Sequence, residues 1–136
     1  RSQISKEDLN MLFTKMKEAK ENAYCPYSKF RVGACILTSS NSFIVGNNVE
    51  NISYGLSICA ERNAICSAIC QGIKHEDFYA IAVTTDRDDY LSPCGACRQF
   101  LAEFPSFKHV FLVNKSGYTK ITNVDELIPF VFKTEL

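Results

Sequence analysis

Behind Ser5, the apolar residues Leu9, Leu12, Phe13 and Met16 recur at intervals of three and four, which lays them along one stripe of a helix. Asp8, three residues after Ser5, completes a capping-box start, so the spacing predicts a helix from about Ser5 to Asn22. Tyr24-Cys25-Pro26-Tyr27-Ser28 breaks it, and the period then changes from helical to two. Phe30, Val32, Ala34 and Ile36 alternate with other residues as a strand does. The polar cluster Ser39-Ser40-Asn41-Ser42 reads as a turn, and a second strand from about Phe43 to Val49 returns to form a hairpin.

A polar segment from Glu50 to Ser57 leads to a second predicted helix, beginning near Cys59, closed by Gly72 and turning Ile65, Ala68 and Ile69 inward. Ala80-Ile81-Ala82-Val83 and Val110-Phe111-Leu112-Val113 are apolar without alternation, which suits central strands covered on both faces. Between them a helix starts near Cys94, carries Phe100, Leu101 and Phe104, and stops before Pro105. Strand, helix, strand, helix and strand in this order predict parallel crossovers within a mixed sheet, an α/β fold. At 136 residues and 15.3 kDa the whole chain, 1–136, fits one domain, with no internal repeat or linker.

Composition narrows the function. Fifteen Lys and Arg balance 15 Asp and Glu, so no excess positive charge draws the chain to nucleic acid. No apolar run approaches the length of a bilayer-spanning helix, and no charged-then-apolar leader opens the chain, so a cytoplasmic protein free of membranes is expected. The chain opens at Arg1 and not at Met, so a preceding segment is expected. Seven cysteines are an odd number for a disulfide framework and suit reduced thiols with a metal.

The chemistry gathers on those cysteines. Cys94 and Cys97, at i and i+3 in a helix start, turn their side chains to one face, and Cys59 at the start of another helix can meet them if the two helix ends abut. Three thiolates leave zinc one open coordination position, the arrangement of a catalytic ion and not of a closed structural one. Glu61, two residues after Cys59, is placed to handle the proton of a water in that position. Three thiolates on a divalent ion sum to minus one and so oppose the ionisation of that water. Arg62 and the two helix N-termini would restore positive charge; at ~4 Å and an effective dielectric near 20 the guanidinium attraction is on the order of 4 kcal/mol before desolvation. A lone C-x-x-C also fits a structural zinc half-site or a redox pair, but a redox pair accounts for neither Cys59 nor Glu61. Cys66 and Cys70, at i and i+4 on the same helix as Cys59, offer an alternative ligand pair but read as small residues buried in a helix, Cys25 and Cys35 as structural, and His75 and His109 as loop or packing residues.

Cys59-Ala60-Glu61-Arg62 together with Pro93-Cys94-Gly95-Ala96-Cys97-Arg98-Gln99-Phe100 resembles the small cytidine deaminases. The likeness extends to Tyr27-Ser28-Lys29-Phe30-Arg31-Val32-Gly33-Ala34, to Gly46-Asn47-Asn48-Val49-Glu50-Asn51 and to Leu127-Ile128-Pro129. It implies a three-layer α/β/α sandwich around a mixed sheet of about five strands, assembled as a homotetramer with one zinc per protomer. It implies hydrolytic deamination of cytidine and deoxycytidine in pyrimidine salvage, with Cys59, Cys94 and Cys97 as zinc ligands and Glu61 as proton shuttle. By the same resemblance the backbone of Ala60 holds the base edge, Phe30 packs beside the base, and Asn48 and Glu50 grip the ribose 3′-hydroxyl. Tyr54 and Phe132 are expected to reach a neighbouring protomer's site. Gly-Pro usually follows that phenylalanine, whereas this chain has Lys133-Thr134-Glu135-Leu136, and Gly55 replaces a frequent small or cyclic residue.

Three rivals share parts of this pattern. Deaminases of aminoacylnucleoside antibiotics or of polynucleotides use the same zinc chemistry, but a carboxylate at the 3′-hydroxyl repels a phosphate there and favours a free nucleoside. A structural zinc module for protein interaction needs a fourth protein ligand, and no spare Cys or His is well placed to supply it.

Overall fold

The Ser5 hydroxyl accepts the Asp8 amide at 3.1 Å, and helix α1 follows over Lys6–Glu21, in the computed structural model, which describes Arg1 and residues 3–133. Leu12 and Met16 on its predicted stripe are fully buried, and each such side chain contributes ~1.5–3 kcal/mol by leaving water. The hairpin is β1, Val32–Thr38, and β2, Phe43–Asn47, joined through a turn with Asn41 at a φ of 65°. Then come α2 (Ala60–Cys70), β3 (Phe78–Thr85), α3 (Gly95–Ala102), β4 (His109–Val113), β5 (Thr119–Thr122) and the single turn α4 (Val124–Leu127).

One five-stranded sheet results, ordered β2-β1-β3-β4-β5, with β3 and β4 parallel and the other neighbours antiparallel. Ala34, Ile36, Ile81, Val83 and Val110 line the face covered by α2 and α3, where they meet Ala64, Ile65, Ala68 and Leu101. Cys35, Leu37, Ala80, Ala82 and Phe111 line the face covered by α1. This is the expected three-layer α/β/α sandwich around a mixed sheet.

Several expectations change. β1 is buried along its whole length, because α1 covers the face that alternation alone would give to solvent. Phe30 lies before the strand, and β2 ends at Asn47, after which Val49 makes only isolated bridges to Tyr24 and Ile58. In α2 the buried row is Ala60, Glu61, Ala64, Ile65 and Ala68, which leaves Ile69 on the flank away from the sheet and 46% exposed. The same rotation exposes Cys66 and Cys70, contrary to the burial expected of them, whereas Cys35 is buried and Cys25 half-buried. α3 closes at Ala102, so Phe104 packs from the segment after the helix.

Two polar devices join the layers. Asp86, just past β3, accepts from Lys20 at 2.7 Å and from Arg31 at 2.8 and 3.1 Å; the Arg31 bonds, ahead of Lys20, hold its carboxyl down at about 2. Arg98 of α3 donates to the carbonyls of Pro93 at 2.7 Å and Leu127 at 2.6 Å, fixing the segment before α3 against α4.

The contact that matters most for the site is at Gly46 of β2. A Cβ there would lie 2.4 Å from the Ala64 amide nitrogen and 2.5 Å from the Ala60 carbonyl oxygen, so only glycine lets the first turn of α2 sit directly on the strand. Asn63 Nδ2 adds a bond to the Asn47 carbonyl at 2.7 Å. Gly46→Ala is therefore expected to lower stability by about 2–3 kcal/mol through backbone displacement. Gly55→Ala, where the added carbon meets open space, should change it by less than ~0.5 kcal/mol. Urea unfolding measures both, and equal midpoints for the two variants would refute the close-approach argument.

Candidate metal centre and substrate pocket

β2 and β3 run in the same direction, each being antiparallel to β1, and β4 is parallel to β3. α2 follows β2 and α3 follows β3, so both helices begin at one end of the sheet, beyond the carboxyl ends of these strands. Cys59 is the N-cap of α2 and Cys94 the N-cap of α3, and neither side chain makes a capping bond to a backbone amide of its own helix. Their sulfurs are free to face each other, 3.8 Å apart. Cys97, buried in the first turn of α3, completes a cluster whose three Sγ atoms all lie within 4.8 Å of one another.

Three sulfurs at this spacing repel one another once ionised. Proton sharing with Cys97, and then the bond that Arg62 Nη2 donates at 3.3 Å, pull the Cys59 thiol well below its usual range. The same proton sharing, followed by burial, pushes the Cys97 thiol up. Arg62 is in turn pushed up, first by its bond to Cys59, and its Nε is buried without a hydrogen-bond partner. Glu61 is only 4% exposed, and burial, reinforced by the Cys59 charge, raises its pKa.

This donor set fits zinc. A Zn–S length of about 2.3 Å places tetrahedral sulfurs about 3.8 Å apart, which is the Cys59–Cys94 separation, and thiolates are ligands of choice for that ion. Among the described residues no fourth His, Cys, Asp or Glu joins the cluster, so the protein fills three positions of four. Two helix N-termini add partial positive charge beside the sulfurs.

A cavity of about 260 Å³ opens beside the cluster, and Phe30, Asn48, Glu50, Ala60 and Glu61 line it with Cys59 and Cys94. Asn48 also serves the backbone: its Oδ1 accepts from the Val32 amide at 2.9 Å and its Nδ2 donates to the Phe30 carbonyl at 2.7 Å. Glu50 accepts from the amides of Tyr27 and Ser28, each at 3.1 Å, and from the Ser28 hydroxyl. That hydroxyl, ahead of the two amides, holds the Glu50 carboxyl below its usual range. Arg87 stands 6.0 Å from the Phe30 ring, at the outer limit of a cation–π contact, while its guanidinium donates two hydrogen bonds to the Asp89 carboxylate.

Tyr54 and Phe132 are not brought into this chain's own cavity. Tyr54 is 68% exposed and packs on Tyr27, and Phe132 is 77% exposed with its carbonyl accepting from Gln99. The altered tail at 134–136 lies outside the described residues. His75 packs on Phe104, and His109 on Tyr79 and Phe111, as expected of packing residues. Sequence reading missed Leu91 and Ser92, which line the cavity, and the roles of Ser28 and Arg98. Leu91 and Ser92 abut the Pro93-Cys94 motif, a signal that was present; nothing in the residue type marks Ser28 as the partner of a carboxylate 22 positions away.

Residues 6–113 match the family model described as "Cytidine and deoxycytidylate deaminase zinc-binding region". The chain is similar to the cytidine deaminase of Halalkalibacterium halodurans, 45% identical over 94% of this chain and 96% of the relative. It is also similar to a probable cytidine deaminase of Dictyostelium discoideum, 41% identical over 97% of this chain and 88% of the other. The crystal structure of cytidine deaminase from Burkholderia pseudomallei superposes with a TM-score of 0.86 at 42% identity, covering 90% of this chain and 98% of that one.

The cysteines divide into two groups that metal analysis separates. Purified Cys59→Ser, Cys94→Ser and Cys97→Ser are expected to carry substoichiometric zinc by mass spectrometry and to release it faster to a chelator. Cys66→Ser and Cys70→Ser, altered on the outer flank of α2, should match the parent. Zinc loss confined to the second pair would overturn the assignment.

Proposed function

The chain belongs to the cytidine and deoxycytidylate deaminase zinc-binding family, and from that membership we propose that it hydrolyses cytidine and deoxycytidine to uridine and deoxyuridine with release of ammonia. The observation that carries the reading is Glu61, a buried carboxylate on the wall of a cavity shared with two of the three clustered thiols. Cys59, Cys94 and Cys97 would hold one zinc ion per protomer. When bound, zinc supplies the Lewis acidity that brings the ionisation of water toward neutral pH.

The other contributions come from side chains. Glu61 accepts a proton from the attacking water and delivers it to N3 of the ring; a second transfer protonates the 4-amino nitrogen, which leaves as ammonia. A C4–O bond forms and the C4–N bond breaks, so one water is consumed for each ammonia released. A carboxylate held by burial at a raised pKa suits a group that must both take a proton and return it. Arg62, donating to the Cys59 sulfur, offsets the excess negative charge of three thiolates.

Phe30 packs beside the base, backbone groups of Ala60 hold its edge, and Asn48 and Glu50 face the ribose 3′-hydroxyl; all four line the cavity. The ionised Glu50 disfavours a 3′-phosphate, which supports a free nucleoside as substrate over a polynucleotide, as does a net charge of +0. Ile52, Tyr54 and Leu56 are 77%, 68% and 65% exposed, an apolar run that supports assembly with further copies. In a homotetramer Tyr54 and Phe132 would reach neighbouring sites. No described helix is long and apolar enough to cross a membrane, and pyrimidine salvage in the cytoplasm is the setting this activity suits.

Glu61→Gln is expected to slow cytidine turnover by about 10²–10⁴-fold in an ultraviolet assay while keeping its zinc. Robust turnover by the zinc-loaded variant would remove the proton role. Light scattering behind gel filtration should give a particle of four protomers; a monomer would exclude Tyr54 and Phe132 from any neighbour's site.

A further inference from the structure

The turn at Tyr27, Ser28 and Lys29 is folded around one carboxylate. The amides of Tyr27 and Ser28 both donate to Glu50 Oε1 at 3.1 Å, and the Ser28 hydroxyl donates to Oε2. The same hydroxyl accepts the Phe30 amide at 3.0 Å. Lys29 stands between these partners at a φ of 60°, a left-handed conformation uncommon outside glycine, with its amide bonded to the Cys25 carbonyl at 3.0 Å. The backbone accepts an unfavourable conformation here, and the bonds it gains converge on Glu50.

A carboxylate offers about four acceptor positions. The turn takes two on Oε1 and one on Oε2, which leaves Glu50 a single acceptor for a molecule in the cavity it lines. The two amides grip one oxygen only, and a terminal carboxylate torsion is broad. The Ser28 hydroxyl is what fixes the other oxygen. We infer that Ser28 is a specificity-determining positioning residue: it makes Glu50 the reader of one sugar hydroxyl and, through the Phe30 amide, ties that reader to the neighbouring wall of the cavity. The inference rests on the reading that Glu50 meets the ribose 3′-hydroxyl. The Ser28 bond also keeps Glu50 ionised, since it favours the charged form.

Steady-state kinetics with cytidine and with 3′-deoxycytidine, which lacks the hydroxyl, test this on the zinc-loaded enzyme. Ser28→Ala should raise KM for cytidine about tenfold, the size of a charge-assisted bond, and leave kcat within about twofold. KM for 3′-deoxycytidine should not move, and Ser28→Thr, which keeps the hydroxyl, should restore the cytidine value. Ser28 is exposed, so the alanine variant should melt close to the parent. In a Glu50→Ala background Ser28→Ala should add no further preference between the two nucleosides, because Ser28 reaches the 3′-hydroxyl through Glu50. An unchanged KM for cytidine, or an equal rise for both nucleosides while the loss in Glu50→Ala falls on cytidine alone, overturns the role of Ser28. Equal losses for both nucleosides in Glu50→Ala itself would instead overturn the underlying reading of Glu50.

Discussion

Everything in the site depends on bringing three sulfurs together at a point where two helices begin. Thiolates within 4.8 Å of one another repel, and a protein that crowds them must supply positive charge around them. The fold does so by topology. Because α2 and α3 each follow a strand of the same direction, their N-termini meet at one end of the sheet, and Cys59 and Cys94 occupy the two N-caps. A serine or aspartate cap would spend its side chain on its own helix; cysteine leaves the sulfur free to turn outward. The close packing at Gly46 then sets the depth at which α2 lies, and with it the position of Cys59 and Glu61.

Glu61 and Arg62 are neighbours with opposite tasks, separated by the rotation of one helical residue. Glu61 turns into the buried row of α2, where loss of water favours its protonated form. Arg62 turns to the flank and bonds the Cys59 sulfur, where its charge favours the thiolate. The site thereby raises the proton affinity of one group and lowers that of another within a single turn. Either residue moved by one position would present its charge to the wrong partner.

The sequence was most informative where local chemistry and global position agreed. The Ser5 cap, the stripe through Leu12 and Met16, and the unbroken apolar runs of β3 and β4 each follow from local rules, and the tertiary structure uses them unchanged. The metal cluster was legible because i and i+3 cysteines at a helix start have few other uses. β5 and α4 escaped, since Thr119–Thr122 is short and largely exposed on a sheet edge and α4 is a single turn. Ile69, Cys66 and Cys70 were misplaced for a different reason. Their types suggest burial, but the face of α2 is chosen by Ala60, Ala64 and Ala68, whose small size lets the helix sit on the sheet. Small residues decide the approach; Ile65 still faces the sheet, whereas Ile69, one position past Ala68, is left outside.

The two halves of the cavity are also held by different physics. The metal half stands on helix starts anchored in the apolar core, where shifting a buried side chain costs several kcal/mol, roughly 2–5 for truncation of a large one. The other half, on which we propose the sugar rests, stands on residues 25–30 and 48–50, outside regular strands, where individual hydrogen bonds contribute about 0.5–3 kcal/mol each. Substitutions in the first half disturb folding and chemistry together. Substitutions in the second can reshape the cavity wall at Asn48 and Glu50 while the sulfurs and Glu61 keep their places. The two halves share one cavity, yet the structure allows them to change separately.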